Sequence, residues 1–283
     1  MRSEHPLFER FPLDAHVQVG DEKLTSPYHV YDGTLLLVGG TADAAQATAL
    51  LAPSGLVPVC DSAGRALAAV WVGDFTEASL GPHHEVQISL LAYSPMRARS
   101  VPPLAAHPLA LLTALLTRKD VHMVCHGLWN STARVVRYNA EHLGLDARYA
   151  SGLLTRTRQR WHFAFADVGA QPVLEGELAC VARTPVGLGW ALARCLGWRA
   201  LWQSLRDPVV HVSVLNTLGP NATQLEVART YTRADRQALR LAHPADRLQI
   251  QAAPYAALDF APAFVQQMEG LRFVYLRPQV EVL

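Results

Sequence analysis

Short apolar segments separated by glycine and proline recur along most of this 283-residue chain, and this pattern limits its fold. The strand-like segments lie at 29–38, 56–60, 66–73, 84–93, 121–127 and 148–183, and again from 209 onward. Gly39-Gly40 indicates the turn that ends the first segment. Strands this numerous, with few helices between them, favour an antiparallel sheet system or a closed barrel. We therefore predict a mainly β (α+β) fold with a few flanking helices.

Three segments carry helix signals instead. Residues 42–51 follow Thr41, whose hydroxyl can accept hydrogen bonds from the first free backbone N–H groups, and Pro53 stops this helix. The other two helices are predicted at 109–117 and 187–205, and the last contains Trp190, Trp198 and Trp202. These tryptophans favour packing on the core. A lid, an oligomer contact and an interfacial membrane surface are the alternatives.

Composition excludes several classes of partner. Half of the residues are hydrophobic, which is ample for a buried core, and no boundary divides the chain, so we predict a single domain over 1–283. The formal net charge of +1 gives no basic field to gather nucleic acid or an anionic membrane. The N-terminus leads into no apolar run of signal-peptide type. We expect a cytoplasmic protein with a small-molecule ligand, no nucleic acid partner and no membrane partner.

Cysteine and lysine restrict the chemistry. The four cysteines are dispersed without a C-x-x-C pair, which indicates reduced thiols and no disulfide framework. Lysine is nearly absent, since only Lys23 and Lys119 occur and arginine supplies the other basic residues. Amine catalysis therefore has two candidate side chains besides the N-terminus.

Two segments carry a resemblance to a known family. The first runs from the strand Leu-Leu-Leu-Val at 35–38 through the predicted helix to Ala-Pro-Ser-Gly-Leu-Val-Pro at 52–58. The second contains Trp-Val-Gly-Asp-Phe at 71–75 and Gly-Pro-His-His-Glu-Val at 81–86. Both resemble the acetoacetate decarboxylase superfamily, in which a helix ending in an L-P-x-G-L-x-P-like turn precedes a G-P-aromatic-x-E strand. The resemblance extends weakly over most of the chain.

The resemblance implies a cone-like antiparallel β-barrel that encloses a small-molecule pocket and assembles into homo-oligomers. In the family's enzymes a pocket lysine forms a Schiff base with a keto acid, and the iminium accepts the electrons released with CO₂. That lysine lies in a G-R-E-x-x-G-x-P-K-like segment, which residues 139–148 match best.

Residues 139–148 lack the family's lysine. Glu141 and Gly144 fit the segment, but the lysine position falls on Ala147, followed by Arg148. An arginine cannot substitute, because its guanidinium stays protonated and is a poor nucleophile. The arginine expected near the first strand is also missing. We therefore predict that the chain is not a Schiff-base decarboxylase, with a relocated lysine at Lys119 as the alternative.

Glu85 aligns with a glutamate that faces the family's pocket. Burial would raise its pKa toward neutrality and make it a general acid or base, whereas a structural carboxylate bonded to arginine is the alternative. We predict Glu85 as catalytic and expect it to point into a cavity near His126 and residues 141–148. The predicted substrate-binding residues are His84, His126, Glu141 and Arg148.

No metal-ligand spacing occurs, so we expect no metal and no cofactor. His122 and His126 are four residues apart, which on a strand separates them by about 13 Å, too far to chelate one ion. A zinc ion held by His84, Glu85 and His126 across neighbouring strands is the alternative. Arg156, Arg158 and Arg160 alternate on one predicted strand face, which indicates an anion site or a charged outer face.

Two functions follow from these patterns. The first is a lyase- or hydrolase-type enzyme that acts on a small keto or oxo acid through Glu85 without an imine. The second is a non-catalytic ligand-binding or structural β-barrel protein. Polar residues that converge with Glu85 in a closed pocket would favour the enzyme, whereas a dry, filled barrel would favour the structural role.

Overall fold

A computed structural model of the chain describes residues 5–93, 103–118, 120–197, 210–216 and 224–282. Its helices are α1 (Pro6–Arg10), α2 (Ala44–Leu51), α3 (Ala110–Thr117), α4 (Ala133–Arg137) and α5 (Val186–Leu196). Its strands are β1 (Ala15–Val19), β2 (Glu22–Ser26), β3 (Tyr28–Ala42), β4 (Val57–Pro58), β5 (Ala66–Ala78), β6 (His83–Tyr93), β7 (His122–Asn130), β8 (Ala147–Arg156), β9 (Arg160–Asp167), β10 (Pro172–Ala179), β11 (Val210–Asn216), β12 (Gln224–Leu241), β13 (Arg247–Ile250), β14 (Ala261–Tyr275) and β15 (Gln279–Val282). The mainly β class predicted from the sequence is confirmed.

Seven strands pair in a ring that runs β7–β11–β12–β14–β3–β5–β6 and returns to β7. Strands β8, β9, β10 and β13 continue from β7 as a branch, and β1 and β2 form a separate hairpin. This ring of pairings supports a closed cone, which stays a prediction.

The sequence favoured a wholly antiparallel sheet, but the described strands also include parallel pairs. Strand β7 runs parallel to both β8 and β11. The connection from β7 to β8 contains α4 and a π-helical turn, Tyr138–His142. A long connection of this kind lets the chain return to the same end of the sheet before it pairs again, which produces a parallel pair.

The strands of the ring other than β11 contribute to two apolar clusters, because successive side chains point to opposite faces. On β6, Leu91 and Tyr93 belong to the inner cluster, whereas Val86, Ile88 and Leu90 belong to the outer one. Helix α3 packs into the inner cluster, and α2 and the β8–β10 branch cover the outer cluster.

The predicted turn at Gly39-Gly40 is wrong, because β3 continues through these glycines to Ala42. The ring of Phe264 on β14 packs directly on Gly39, where a Cβ atom would lie 2.1 Å from the ring. The glycine therefore serves a close approach of a neighbouring strand.

The predicted helices occur with different ends. Helix α2 begins at Ala44, and its N-cap is Asp43, whose Oδ1 accepts from the Gln46 N–H at 2.8 Å, so the predicted cap at Thr41 is wrong. Helix α5 ends at Leu196, and residues 198–205 of the predicted helix, with Trp198 and Trp202, lie outside the described residues. None of the described helices is long and apolar enough to cross a membrane.

The predicted strand that carries three arginines on one face is also wrong. Strand β8 ends at Arg156 and β9 begins at Arg160, so Arg158 lies in the turn between them. Arg156 pairs with Glu269 at 2.5 Å and Arg160 with Glu177 at 2.8 Å. The two arginines at the strand ends thus have carboxylate partners.

A buried ion pair fixes β12 against the β8–β10 branch. The Arg240 guanidinium donates to both Asp246 carboxylate oxygens at 2.6 and 2.7 Å, and Arg240 Nε donates to the Ala179 carbonyl at 3.0 Å. The backbone N–H groups of Ala179 and His243 also donate to Asp246. Burial raises the pKa of Asp246, but these hydrogen bonds outweigh it and leave the pKa below its usual value.

Removal of the Asp246 carboxylate should destabilise the fold strongly. Asp246→Ala leaves Arg240 buried without its counter-charge, so we expect the free energy of unfolding to fall by about 3–5 kcal/mol. The matched control is Asp235→Ala, which removes the exposed partner of Arg272 and should cost less than about 1 kcal/mol. Urea denaturation of the two variants measures the difference. Equal losses would contradict the structural role of Asp246.

Candidate functional site

Glu85 heads a chain of three hydrogen-bonded side chains inside the ring. It lies on β6 opposite Asn130 of β7, whose Nδ2 donates to Glu85 Oε2 at 2.8 Å. Asn139, in the π-helical turn, donates from its Nδ2 to Asn130 Oδ1 at 2.9 Å. Both asparagines are buried. Glu85 is therefore held by a relay of amides that spans β6, β7 and the turn.

Glu85 keeps some accessible surface but has the surroundings of an interior group. Burial raises its pKa to about 7, and the hydrogen bond from Asn130 opposes this only partly. No arginine among the described residues forms an ion pair with it, which removes the structural alternative of an arginine-bound carboxylate from this part of the chain. A carboxyl group with a pKa near neutrality can act as both acid and base.

Three buried tyrosines, Tyr28, Tyr138 and Tyr275, lie in the same inner cluster. Burial raises the pKa of each phenol, and the negative charge of Glu85 raises those of Tyr28 and Tyr275 further. The phenols are therefore neutral near pH 7 and serve as hydrogen-bonding groups.

Tyr28 is oriented by His83. The Tyr28 hydroxyl lies 3.0 Å from His83 Nε2, and His83 Nδ1 lies 2.9 Å from the Gly81 carbonyl. Because a carbonyl oxygen only accepts, Nδ1 carries the proton and Nε2 accepts from Tyr28. Burial lowers the pKa of His83 to about 4, so the ring is neutral at neutral pH. The lone pairs of the Tyr28 oxygen therefore remain able to accept hydrogen bonds from a group inside the ring.

Two of the predicted substrate-binding residues lie on the outer face of the ring, opposite Glu85. His84 Nε2 lies 3.4 Å from Asp74 Oδ1, and the His84 ring stands against Phe165 of the outer cluster. His126 Nδ1 lies 3.0 Å from the Tyr255 hydroxyl, and its Nε2 lies 2.8 Å from the Leu50 carbonyl of α2.

A bulge explains the position of His126. The register shifts between Ile88 and Ser89 of β6, so that Cys125 and Gly127 oppose these residues and His126 has no partner in the register. If side chains alternated regularly back from Asn130, His126 would point inside the ring. The extra residue of the bulge places it on the outer face instead.

The other two predicted residues also lie away from Glu85. Glu141 accepts from the Gly20 N–H at 2.8 Å at the surface. Arg148 pairs with Asp146, and its guanidinium lies 5.7 Å from the centre of the Trp129 ring. It lines an outer cleft of about 630 Å³ between β8, the β9–β10 turn and residues 251–253. The expectation of one cluster that joins these residues to Glu85 is therefore wrong in its geometry.

Lysine is nearly absent from the described residues as well. Lys23 is their only lysine, and it is exposed on β2. Lys119 lies outside the described residues. Ala147, at the position that resembles the family's lysine site, packs against the inner cluster. The described residues contain no group of three His, Cys, Asp or Glu side chains that could hold a metal ion.

The raised pKa of Glu85 should make stability depend on pH. The shift from 4.5 to about 7 means that the folded state holds a proton which the unfolded chain has lost. The free energy of unfolding should therefore fall by about 3 kcal/mol as pH rises from about 4.5 to 7.

Denaturation of the wild type and of Glu85→Gln across this pH range measures that contribution. Burial lowers the pKa values of His29 and His83 to about 4, so their contributions to stability rise with pH. Both proteins contain these histidines, so the contributions cancel when the two curves are subtracted. Parallel curves for the two proteins would show that Glu85 has an ordinary pKa.

Comparison with known proteins identifies the fold. No protein-family model matches the sequence, and no curated protein matches it. Among solved structures, acetoacetate decarboxylase from Legionella pneumophila matches with a TM-score of 0.62 at 10% identity, over 98% of this chain and 95% of that one. A second acetoacetate decarboxylase structure matches with a TM-score of 0.57 at 11% identity, over 91% of this chain and 89% of that one.

A third structure is the enduracididine biosynthesis enzyme MppR complexed with pyruvate. It matches with a TM-score of 0.56 at 12% identity, over 90% of each chain. Identities this low carry information on the fold alone. The chain therefore has the mainly β fold of the acetoacetate decarboxylase-like proteins.

Proposed function

We propose that this chain is a small-molecule enzyme that binds a small keto or oxo acid inside the ring of strands and uses Glu85 for proton transfer. The observation that carries the proposal is the buried Glu85–Asn130–Asn139 relay, in which burial raises the pKa of Glu85 to about 7. The fold is shared with acetoacetate decarboxylases and with MppR, whose structure contains pyruvate.

The chemistry follows from the two forms of Glu85. The carboxylate removes a proton from the carbon next to the substrate carbonyl, and the carboxylic acid returns a proton to that carbon or to a leaving group. Neutral phenols inside the same cluster can stabilise the negative charge that develops on the carbonyl oxygen. This set suits lyase- or hydrolase-type steps that pass through an enolate.

The proposal requires no imine. The exposed Lys23 is unsuitable, because a nucleophilic amine needs burial or a cationic neighbour to lower its pKa by several units. Ala147 and Arg148 occupy the positions that resemble the family's lysine segment. Acid–base chemistry at Glu85 therefore replaces electron withdrawal by an iminium in this proposal.

One observation favours a non-catalytic binding or structural protein as the second candidate. Leu109, Ala110, Leu111 and Leu112 at the start of α3 are buried in the inner cluster together with Leu91 and Tyr93. Apolar side chains thus fill the part of the interior near the end of β6, and polar groups lie near its beginning. The enzyme and the non-catalytic protein differ in whether the polar part of the interior converts a substrate.

Proton exchange at pyruvate tests the proposal without knowledge of the full substrate. The wild type should accelerate exchange of the pyruvate methyl protons in D₂O, measured by proton NMR. The rate should rise with pH around a midpoint of about 7, because the deprotonated form of Glu85 is the base. Glu85→Gln keeps the size of the side chain and should lower the rate by about 10²-fold or more.

Glu175→Gln is the matched control, because Glu175 is exposed on β10, and it should leave the rate unchanged. Borohydride added to the reaction should leave the intact mass unaltered. Exchange that survives Glu85→Gln, or a borohydride-stable adduct that maps to Lys119, would contradict the proposal. Pyruvate binding without exchange would favour the non-catalytic candidate.

A further inference from the structure

The π-helical turn Tyr138–His142 joins two groups of polar side chains at one end of the ring. Asn139 continues the relay to Glu85. Its neighbour Tyr138 is hydrogen-bonded to Ser26, whose hydroxyl also accepts from Arg277 Nε at 3.1 Å. The pairing of Tyr28 with Tyr275 brings the start of β3 and the end of β14 together there. Arg277 therefore lies at the surface beside the Glu85 end of the ring.

Arg277 is an exposed residue whose Nε bond to Ser26 is partly buried, and it has no acidic partner among the described residues. Arg118, Arg148, Arg160 and Arg240 each pair with an aspartate or a glutamate. The positive charge of Arg277 instead acts on two neutral neighbours. Burial raises the pKa of Tyr138, and Arg277 opposes that rise. Burial lowers the pKa of His142, and Arg277 lowers it further. A guanidinium whose described neighbours are neutral has hydrogen-bond donors that suit an anion from solution.

His142 supplies a second, independent sign of a ligand. Its Nε2 atom is buried and has no hydrogen-bond partner among the described residues. Its ring lies 5.0 Å from the ring of Tyr138, so it belongs to the same group of side chains as Ser26 and Arg277. Buried polar atoms are nearly always hydrogen-bonded, so such an atom requires an explanation.

The group is contiguous with the catalytic end. The rings of Tyr138 and Tyr28 lie 6.2 Å apart, and the charge of Glu85 acts on Tyr28. We infer that Arg277, with Ser26, Tyr138 and His142, forms the subsite that binds the carboxylate of a small keto acid, whose carbonyl end lies toward Glu85. The Nη atoms of Arg277 match the two oxygens of a carboxylate. This inference rests on the proposed function, and it attributes the specificity for acids to this subsite.

Paired ligands separate carboxylate recognition from general binding. Pyruvate is the charged probe, and hydroxyacetone, which carries a hydroxymethyl group in place of the carboxylate, is the uncharged one. Calorimetric titration of Arg277→Met should show pyruvate binding weakened about tenfold or more, since a charge-assisted hydrogen bond contributes at least that factor. Hydroxyacetone binding should be unchanged, and Arg277→Lys should retain part of the affinity for pyruvate.

The matched control is Arg272→Met, because Arg272 lies on β14 and pairs with Asp235 at the surface. It should bind pyruvate like the wild type, and denaturation curves confirm that each variant is folded. Unchanged pyruvate binding in Arg277→Met overturns the subsite, as does an equal loss of both ligands. A wild type that binds pyruvate no better than hydroxyacetone also overturns it. The proposed function fails separately, if Glu85→Gln retains proton exchange.

Discussion

Burial of the Glu85 carboxyl group beside an amide, without a cation among the described residues, is the constraint on which the site depends. The pairing of β6 with β7 fixes Asn130 opposite Glu85, and the π-helical turn fixes Asn139 behind it. An amide donor stabilises a buried carboxylate less than a guanidinium does, so the proton is retained up to about pH 7. The position of the strands thus sets the acidity of one side chain.

The separation of inner and outer faces then decides which groups act with Glu85. Tyr28, Tyr138 and Tyr275 share its face and stay neutral because they are buried. Arg148 lies in the outer cleft and is already paired with Asp146. Arg277 is exposed at the end of the ring near Glu85 and lacks such a partner among the described residues. Proton transfer and carboxylate binding are therefore proposed at one end of the ring.

Local sequence patterns predicted the mainly β class and the approximate places of α2, α3 and α5, because strand and helix signals are local. They misjudged Gly39, since the close approach of Phe264 comes from a distant part of the chain. Glu85 was proposed as catalytic from a short motif. The face of β7 on which His126 lies could not be predicted, because a bulge depends on the register of two strands. Arg277 is adjacent to Ser26 only in the fold, so no spacing in the sequence indicates it.

The proposed chemistry depends on the acidity of Glu85, which a direct titration measures. Carbon-13 NMR of protein labelled at glutamate side-chain carboxyl carbons, with Glu85→Gln used to assign the signal, measures the pKa of this group. We expect a midpoint of about 7. A midpoint near the usual value of about 4.3 for glutamate would contradict it, because Glu85 would then be a solvated carboxylate and no acid–base group at neutral pH.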